Sequence, residues 1–276
     1  MSTISVIITT YNSETWLEKV LWGYAVQSFT DFELIIADDG SSSKTKELLE
    51  TFTSEFKHPI VHVWQEDNGF QKTKILNKAI VKATSSYILF SDGDCIPRYD
   101  FISTHLKYKK KGYFLSGGYF KLNDVVSNSI DISNIKNQSC FQIKWLLDNG
   151  LKFNFKLSKL TQNSIFAQFM NWITPTKKTF NGHNTSCFKD DLIAVNGFNE
   201  EMKYGGLDRE IGERLFNNKI KSKQIRYTAI CLHLNHDRSY ATKDNWLNNN
   251  YIRKFNKQNN VTTIKNGLSK YLNHED

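Results

Sequence analysis

The sequence predicts a mainly parallel α/β sheet with helices on both faces, and three observations point to it. Short apolar, β-branched runs alternate with helical patterns through the first third of the chain. The connections between them are short, and polar residues collect where each apolar run ends. The 276 residues fit one large, elaborated domain of this class.

Residues 4–9 (ISVIIT) form the first strand, a continuous apolar run of the kind buried on both faces of a sheet. Asn12 or Ser13 can cap a helix over 13–28, where Trp16, Leu17, Val20, Leu21 and Tyr24 recur at helical spacing. Residues 32–37 (FELIIA) are a second strand, and a serine run opens a second helix over 42–56. A third strand over 60–64, a third helix over 73–83 and a fourth strand over 87–91 (YILFS) complete the alternation. No internal repeat is present.

Beyond residue 122 the pattern changes. Residues 143–173 are rich in Leu, Phe and Trp, with Lys144, Lys152, Lys156 and Lys159 interleaved, and read as helical and amphipathic. Two readings are open: a helical insert packed on the sheet, or a basic amphipathic face lying on a membrane surface. The chain then divides into a domain over 1–245 and a Lys/Asn-rich tail over 246–276, a surface helix or a partly loose segment. Within the domain lie a first half (1–122), the insert (123–175) and a second half (176–240).

Composition narrows the function. Lys plus Arg minus Asp plus Glu is 36 − 28 = +8, which suggests an anionic partner. No apolar run approaches the ~20 residues that cross a bilayer. The first residues, MSTISVIITTYN, lack a basic n-region and a cleavage site, so they do not read as a secretory signal. Cys95, Cys140, Cys187 and Cys231 are far apart with no CxxC pair, which favours reduced thiols in a cytoplasmic protein.

In open α/β sheets ligands bind at the carboxyl ends of the strands. Here those ends carry Thr10-Tyr11-Asn12, Asp38-Asp39-Gly40-Ser41, Gln65-Glu66-Asp67-Asn68 and Asp92-Gly93-Asp94. No GxGxxG follows the first strand and no GxxxxGK[ST] occurs, so dinucleotide-binding and P-loop domains are disfavoured. Asp92 and Asp94, separated by one glycine after a buried strand, suit a hard divalent cation that keeps sites open for a diphosphate.

TTYN, ADDGS and FSDGDCIP, in this order over roughly residues 4–122, resemble the motif series of family 2 glycosyltransferases. The resemblance implies a single A-type, Rossmann-like glycosyltransferase domain whose first half binds a nucleoside diphosphate sugar, usually with UDP. It implies uridine contacts from Thr9, Tyr11 and Asp39, nucleotide binding at Asp92 and metal binding at Asp94. The family often has an Arg in a GxxxARN stretch; in Gly69-Phe-Gln-Lys-Thr-Lys74 that place falls to Lys74.

Residues 180–215 (FNGHNTSCFKDDLIAVNGFNEEMKYGGLDREIGERL) resemble the segment shared by β1,4-galactosyltransferases and bacterial capsule or chondroitin-type polymerases. That resemblance makes Asp208 the catalytic base, with Leu207 where a Glu is usual. Read locally, Asp208 falls at a helix start, where a carboxylate is favoured in its charged form and a plain cap is the alternative. The same resemblance gives metal ligands to CLHLNHDR: His236 first and His233 second, and an imidazole ligand favours Mn²⁺ over Mg²⁺. Asn181, Gly182, His183, Asn184, Gly206 and Glu210 are expected to line the donor-sugar and acceptor pocket.

The function expected is inverting transfer from a UDP-sugar to a hydroxyl of a growing bacterial surface glycan (lipopolysaccharide, O-antigen or capsule). A glycan or lipid-linked oligosaccharide acceptor would place the enzyme in the cytoplasm, peripheral on the inner face of the cytoplasmic membrane, against an anionic surface. The alternative is a nucleotidyltransferase making nucleotide sugars, although TTYN is not the Gly-rich basic loop such enzymes carry. No nucleic-acid recognition motif is present, so no nucleic-acid partner is expected.

Overall fold

The computed structural model describes residues 2–236 and 243–272. Ten strands lie within them: β1 Ile4–Thr10, β2 Phe32–Asp38, β3 Val61–Trp64, β4 Tyr87–Asp92, β5 Cys95–Pro97, β6 Tyr113–Ser116, β7 Gly118–Lys121, β8 Thr185–Phe188, β9 Lys221–Gln224 and β10 Ile230–His233. Seven form one twisted sheet in the order β3-β2-β1-β4-β8-β6-β9. The first four are parallel neighbours, β8 runs antiparallel between β4 and β6, and β9 is parallel to β6. This is the predicted α/β class.

Alternation explains why the strand sequences are continuously apolar. Ile4, Val6 and Ile8 of β1 point into one buried cluster, while Ile7 points into another across the sheet. Both faces are covered, so successive side chains are buried and mostly apolar, and the polar exception inside β1, Ser5, donates to the buried Glu33 of β2. The helix Glu14–Ala25 buries Leu17, Val20, Leu21 and Tyr24, as its spacing predicts.

Two elements differ from the sequence reading. The second helix covers Ser43–Thr51 and stops five residues before 56, where the chain passes into successive turns. The 143–173 segment is not one amphipathic helix. It comprises Ile143–Asp148, a 3₁₀ turn at Phe155–Leu160 and Ser164–Ile173. Gly150, at φ +96, ends the first piece in a backbone region that side chains disfavour. The insert also contains the helices Asp124–Ser129 and Ile132–Lys136. It anchors Val126, Ile135, Phe141, Leu146, Leu157 and Leu160 in the cluster that β1 faces.

A small sheet, β5-β10-β7, closes one side of the strand ends. Antiparallel pairing sets His233 opposite Cys95, beside the Asp94 turn, and the Leu234 amide donates to the Asp94 carbonyl at 2.9 Å. Past residue 242 the helix Lys243–Gln258 packs along the helix Leu207–Asn217. Asn249, buried, donates to the carbonyls of Lys203, Tyr204 and Gly205 at 2.9, 3.1 and 2.6 Å. That clamp fixes the turn leading into Asp208. No helix among the described residues is long and apolar enough to cross a membrane, and all four cysteines are free and buried.

Candidate active site

The carboxyl ends of β1, β2 and β4, the end of β10 and the Gly205–Asp208 turn enclose a cleft of about 730 Å³. Sheet register assembles its floor. Thr9 pairs with Asp92 across β1 and β4, so the Thr9 hydroxyl donates to Asp92 Oδ1 at 2.7 Å. The same oxygen accepts from Lys72 Nζ at 2.7 Å. Burial disfavours charge on both partners, yet their mutual attraction wins. Lys72, also near Asp208 and Asp94, is held above its ordinary range, and Asp92 well below. Both are therefore charged in the cleft.

Asp39 and Tyr11 stand on the β1–β2 side of the cleft. Asp39 accepts from Gln65 Nε2 at 2.6 Å and from the Gln71 amide at 2.9 Å, and its burial raises its carboxyl pKa. Tyr11 is half exposed and donates to Asp67 Oδ2 at 2.8 Å. These two residues and Thr9 all line the cleft.

The opposite wall holds Asp94, His233 and His236. The two imidazoles stack with centroids 5.7 Å apart and planes 6° from parallel. Their Nε2 atoms lie 3.7 Å (His233) and 2.7 Å (His236) from the same Asp94 oxygen. His233 Nδ1 contacts the Leu234 carbonyl at 2.7 Å. A carbonyl can only accept, so Nδ1 donates to it and Nε2 is the ring nitrogen left facing Asp94. One carboxylate and two imidazoles fit a divalent cation, and the nitrogen donors suit Mn²⁺ better than Mg²⁺. Burial raises the Asp94 carboxyl, but the His236 hydrogen bond and the His233 ring outweigh it, so Asp94 is held below its ordinary range. Cys95 donates to Asp94 Oδ1 at 3.2 Å, and burial pushes its thiol well up, so it stays protonated.

Asp208 lines the same cleft as this set. Its Oδ1 is buried with no hydrogen-bond partner among the described residues. Burial raises its pKa, opposed by Lys72 and the Gly182 amide. A desolvated carboxylate with a free lone pair has the chemistry to accept a proton. Gly206, at φ +79 in the left-handed region, turns the chain so that Asp208 starts the helix facing inward. His183 joins the same wall, edge-on to Tyr119 with centroids 4.7 Å apart. Burial pushes its imidazole down to about 4, so it is neutral.

Other expected site residues lie elsewhere. Lys74 lines a separate depression with Glu200, Met202 and Lys270. Two positions along a helix turn about 200°, so Lys72 and Lys74 face opposite ways and Lys72 takes the cleft. Glu210 is fully buried behind the cleft, bidentate to Arg214 at 2.7 and 2.8 Å and accepting from Asn256 at 2.8 Å. Asn184 is likewise structural: it accepts from His105 and donates to the Gly118 and Ala229 carbonyls. Asn181 bonds Ser116 and Thr179 rather than lining the cleft. Gly182 touches the site through Asp208. Asp237 and Arg238 lie outside the described residues. The sequence reading missed Lys72, Tyr119, Tyr204 and Trp246 on the cleft wall; the phase of the 72–82 helix would have flagged only the first.

The model of glycosyl transferase family 2 matches residues 5–184, more than half the chain. The chain belongs to glycosyltransferase family 2. The model for an N-terminal domain of galactosyltransferase matches residues 161–237, the stretch that carries Asp208, His233 and His236. The enzyme is 25% identical over 227 residues to a chondroitin synthase of Escherichia coli, covering 77% of this chain and 32% of that one. Its fold resembles Staphylococcus aureus TarS 1–349 in complex with UDP-GlcNAc (TM-score 0.59, 18% identity, 87% of this chain, 60% of that one). It also resembles a Pyrobaculum calidifontis mannosyltransferase in complex with GDP-Man and Mn²⁺ (TM-score 0.57, 16% identity, 86% and 58%). The enzyme thus spans under two thirds of these relatives, and as little as 16% of other curated ones. The A-type fold and the glycosyltransferase family are those the sequence motifs implied.

Proposed function

We propose that the enzyme is an inverting glycosyltransferase that moves a sugar from a UDP-sugar to a hydroxyl of a growing bacterial surface glycan. The observation that carries the reading is the buried Asp208 Oδ1, without a hydrogen-bond partner among the described residues, in the same cleft as the Asp94–His233–His236 group. Thr9, Tyr11 and Asp39 would line the uridine side, and Asp92 with Lys72 the diphosphate side. A divalent cation, Mn²⁺ by preference, would be held by Asp94, His233 and His236 and would neutralise charge on the departing diphosphate.

Asp208 accepts the proton of the acceptor hydroxyl as that oxygen attacks the anomeric carbon. The carbon–oxygen bond to the β-phosphate breaks, UDP leaves with the bond electrons, and configuration inverts. Lys72 places a fixed ammonium where phosphate charge grows. His183, neutral and buried, supplies a ring nitrogen toward the sugar between these groups. Acceptors carried on lipid would bring the enzyme to the cytoplasmic face of a membrane.

A panel of UDP-sugars, tested for Mn²⁺-dependent thermal stabilisation and hydrolysis, examines this reading. Stabilisation by one UDP-sugar, lost on chelation, is the expected result. Equal response to every nucleotide sugar, or turnover of UTP with sugar 1-phosphates, would overturn it.

A further inference from the structure

The helix Ser164–Ile173 is mounted inside out. At about 100° per residue, Ile165, Phe166, Phe169, Trp172 and Ile173 share one arc of about 120°. That arc faces solvent: Ile165 is 79% exposed and Trp172 82%. The opposite side does the packing. Ala167 is buried, and Asn171 accepts from the Tyr227 amide at 2.8 Å and donates to Thr228 Oγ1 at 3.1 Å. Phe155, which opens the neighbouring 3₁₀ segment, and Phe153 just before it are 92% and 74% exposed. A helix that turns its amide to the protein and its aromatic stripe to solvent is built to meet an apolar medium.

Charge says which medium. Residues 149–189 contain six lysines, at 152, 156, 159, 177, 178 and 189, and no aspartate or glutamate. Lys152, Lys156, Lys177 and Lys178 are exposed and flank the aromatics along the chain. An aromatic stripe flanked by lysines without a carboxylate matches the headgroup region of an anionic bilayer.

We propose that this face, centred on Phe155, Phe169 and Trp172, docks the enzyme on an anionic lipid surface. It borders the cleft: Lys159 donates to the Tyr119 carbonyl at 3.4 Å and lies over the Tyr119 ring, and Tyr119 lines the cleft wall. Docking would therefore hold the cleft mouth beside the bilayer. That consequence rests on the glycosyltransferase reading; the docking itself does not.

The test is co-sedimentation of the full chain with phosphatidylglycerol-rich and pure phosphatidylcholine vesicles at low and high salt. Binding is expected on the anionic vesicles, weakened by salt and much weaker on phosphatidylcholine. Phe169→Ser with Trp172→Ser should lower vesicle affinity at least about tenfold, and each of Lys152→Glu and Lys156→Glu about fivefold. All these side chains are exposed, so melting temperature and UDP-sugar hydrolysis should be unchanged. No binding to anionic vesicles at low salt, or binding indifferent to these substitutions, would overturn the proposal. So would a dimer in gel filtration that the Phe169→Ser/Trp172→Ser variant dissolves without any vesicle binding, because the face would then serve a second copy. Lost docking with intact hydrolysis sinks only this inference. Intact docking without any glycosyl transfer sinks only the functional reading.

Discussion

Gly182→Ala tests the placement of Asp208 without removing it. A Cβ at position 182 would stand 2.8 Å from Asp208 Oδ1 and 3.1 Å from Cγ and Oδ2. Ordinary contacts begin at 3.4 Å, so the carboxylate must retreat by 3.4 − 2.8 = 0.6 Å or tilt by as much. Gly182 is not at positive φ, so alanine is acceptable to the backbone itself and the clash is the whole perturbation. Asp208 has little room to adapt, because Leu207 is buried beside it and Asn249 clamps the preceding turn. Since a displacement of about 1 Å costs about 10²-fold in rate, kcat should fall roughly 10- to 100-fold. The donor KM should stay within about twofold, because the uridine and cation sides are untouched. Steady-state kinetics with the donor identified by the panel gives both numbers. The decisive comparison repeats the substitution in an Asp208→Asn background, where it should have no further effect on kcat. An unchanged kcat in the single variant, or an equal loss with Asp208 already replaced, would refute the argument that Gly182 acts through Asp208.

Asp208→Asn itself should lower kcat by about 10²–10⁴ while leaving UDP binding by calorimetry intact. Burial raises the Asp208 pKa in the folded protein, so its charge costs stability above that pKa and the cost disappears as pH falls through it. Differential scanning calorimetry should therefore find the Asn variant more thermostable than the parent at neutral pH, with the gap closing in acid. For the same reason the acid limb of kcat in the parent should lie above the ordinary aspartate value of about 4. Asp94→Ala should abolish cation-dependent UDP binding; unchanged calorimetric affinity in the presence of Mn²⁺ would disprove the ligand assignment. Lys72→Met should weaken UDP binding by about tenfold or more, whereas Lys74→Met, two residues along the same helix, should leave it within twofold. Equal effects would mean that helix phase does not decide which lysine serves the cleft.

The Lys72–Lys74 contrast marks the boundary between what is legible in a sequence and what is not. Motif alignment finds a basic position after Gly69, but only the angular phase of the helix on the sheet selects the lysine that enters the cleft. Glu210 and Asp208 illustrate the same limit. Both are carboxylates at one helix start, yet Asp208 faces the cleft while Glu210 is drawn into the core by Arg214 and by Asn256, 46 residues further along the chain. Asn184 looked like a pocket amide because buried structural amides and ligand-binding amides share the same local sequence. The insert is the converse case: its lysines and aromatics were visible, but apolar periodicity alone cannot say which face turns outward.

What the sequence determined by itself is the set of local interactions. The apolar runs specify strands buried on both faces, and their alternation with helices specifies a parallel sheet. The ordered clusters TTYN, ADDGS and DGD specify which rim carries chemistry. These features survive because strand burial and turn chemistry depend on neighbours within a few residues. The tertiary structure alone decided direction and company. Sheet register set Thr9 against Asp92, β10 brought two stacked imidazoles to Asp94, and Gly182 came to rest against Asp208. Those pairings depend on packing between segments far apart in the chain, where position in space, and not position in sequence, sets which charges meet.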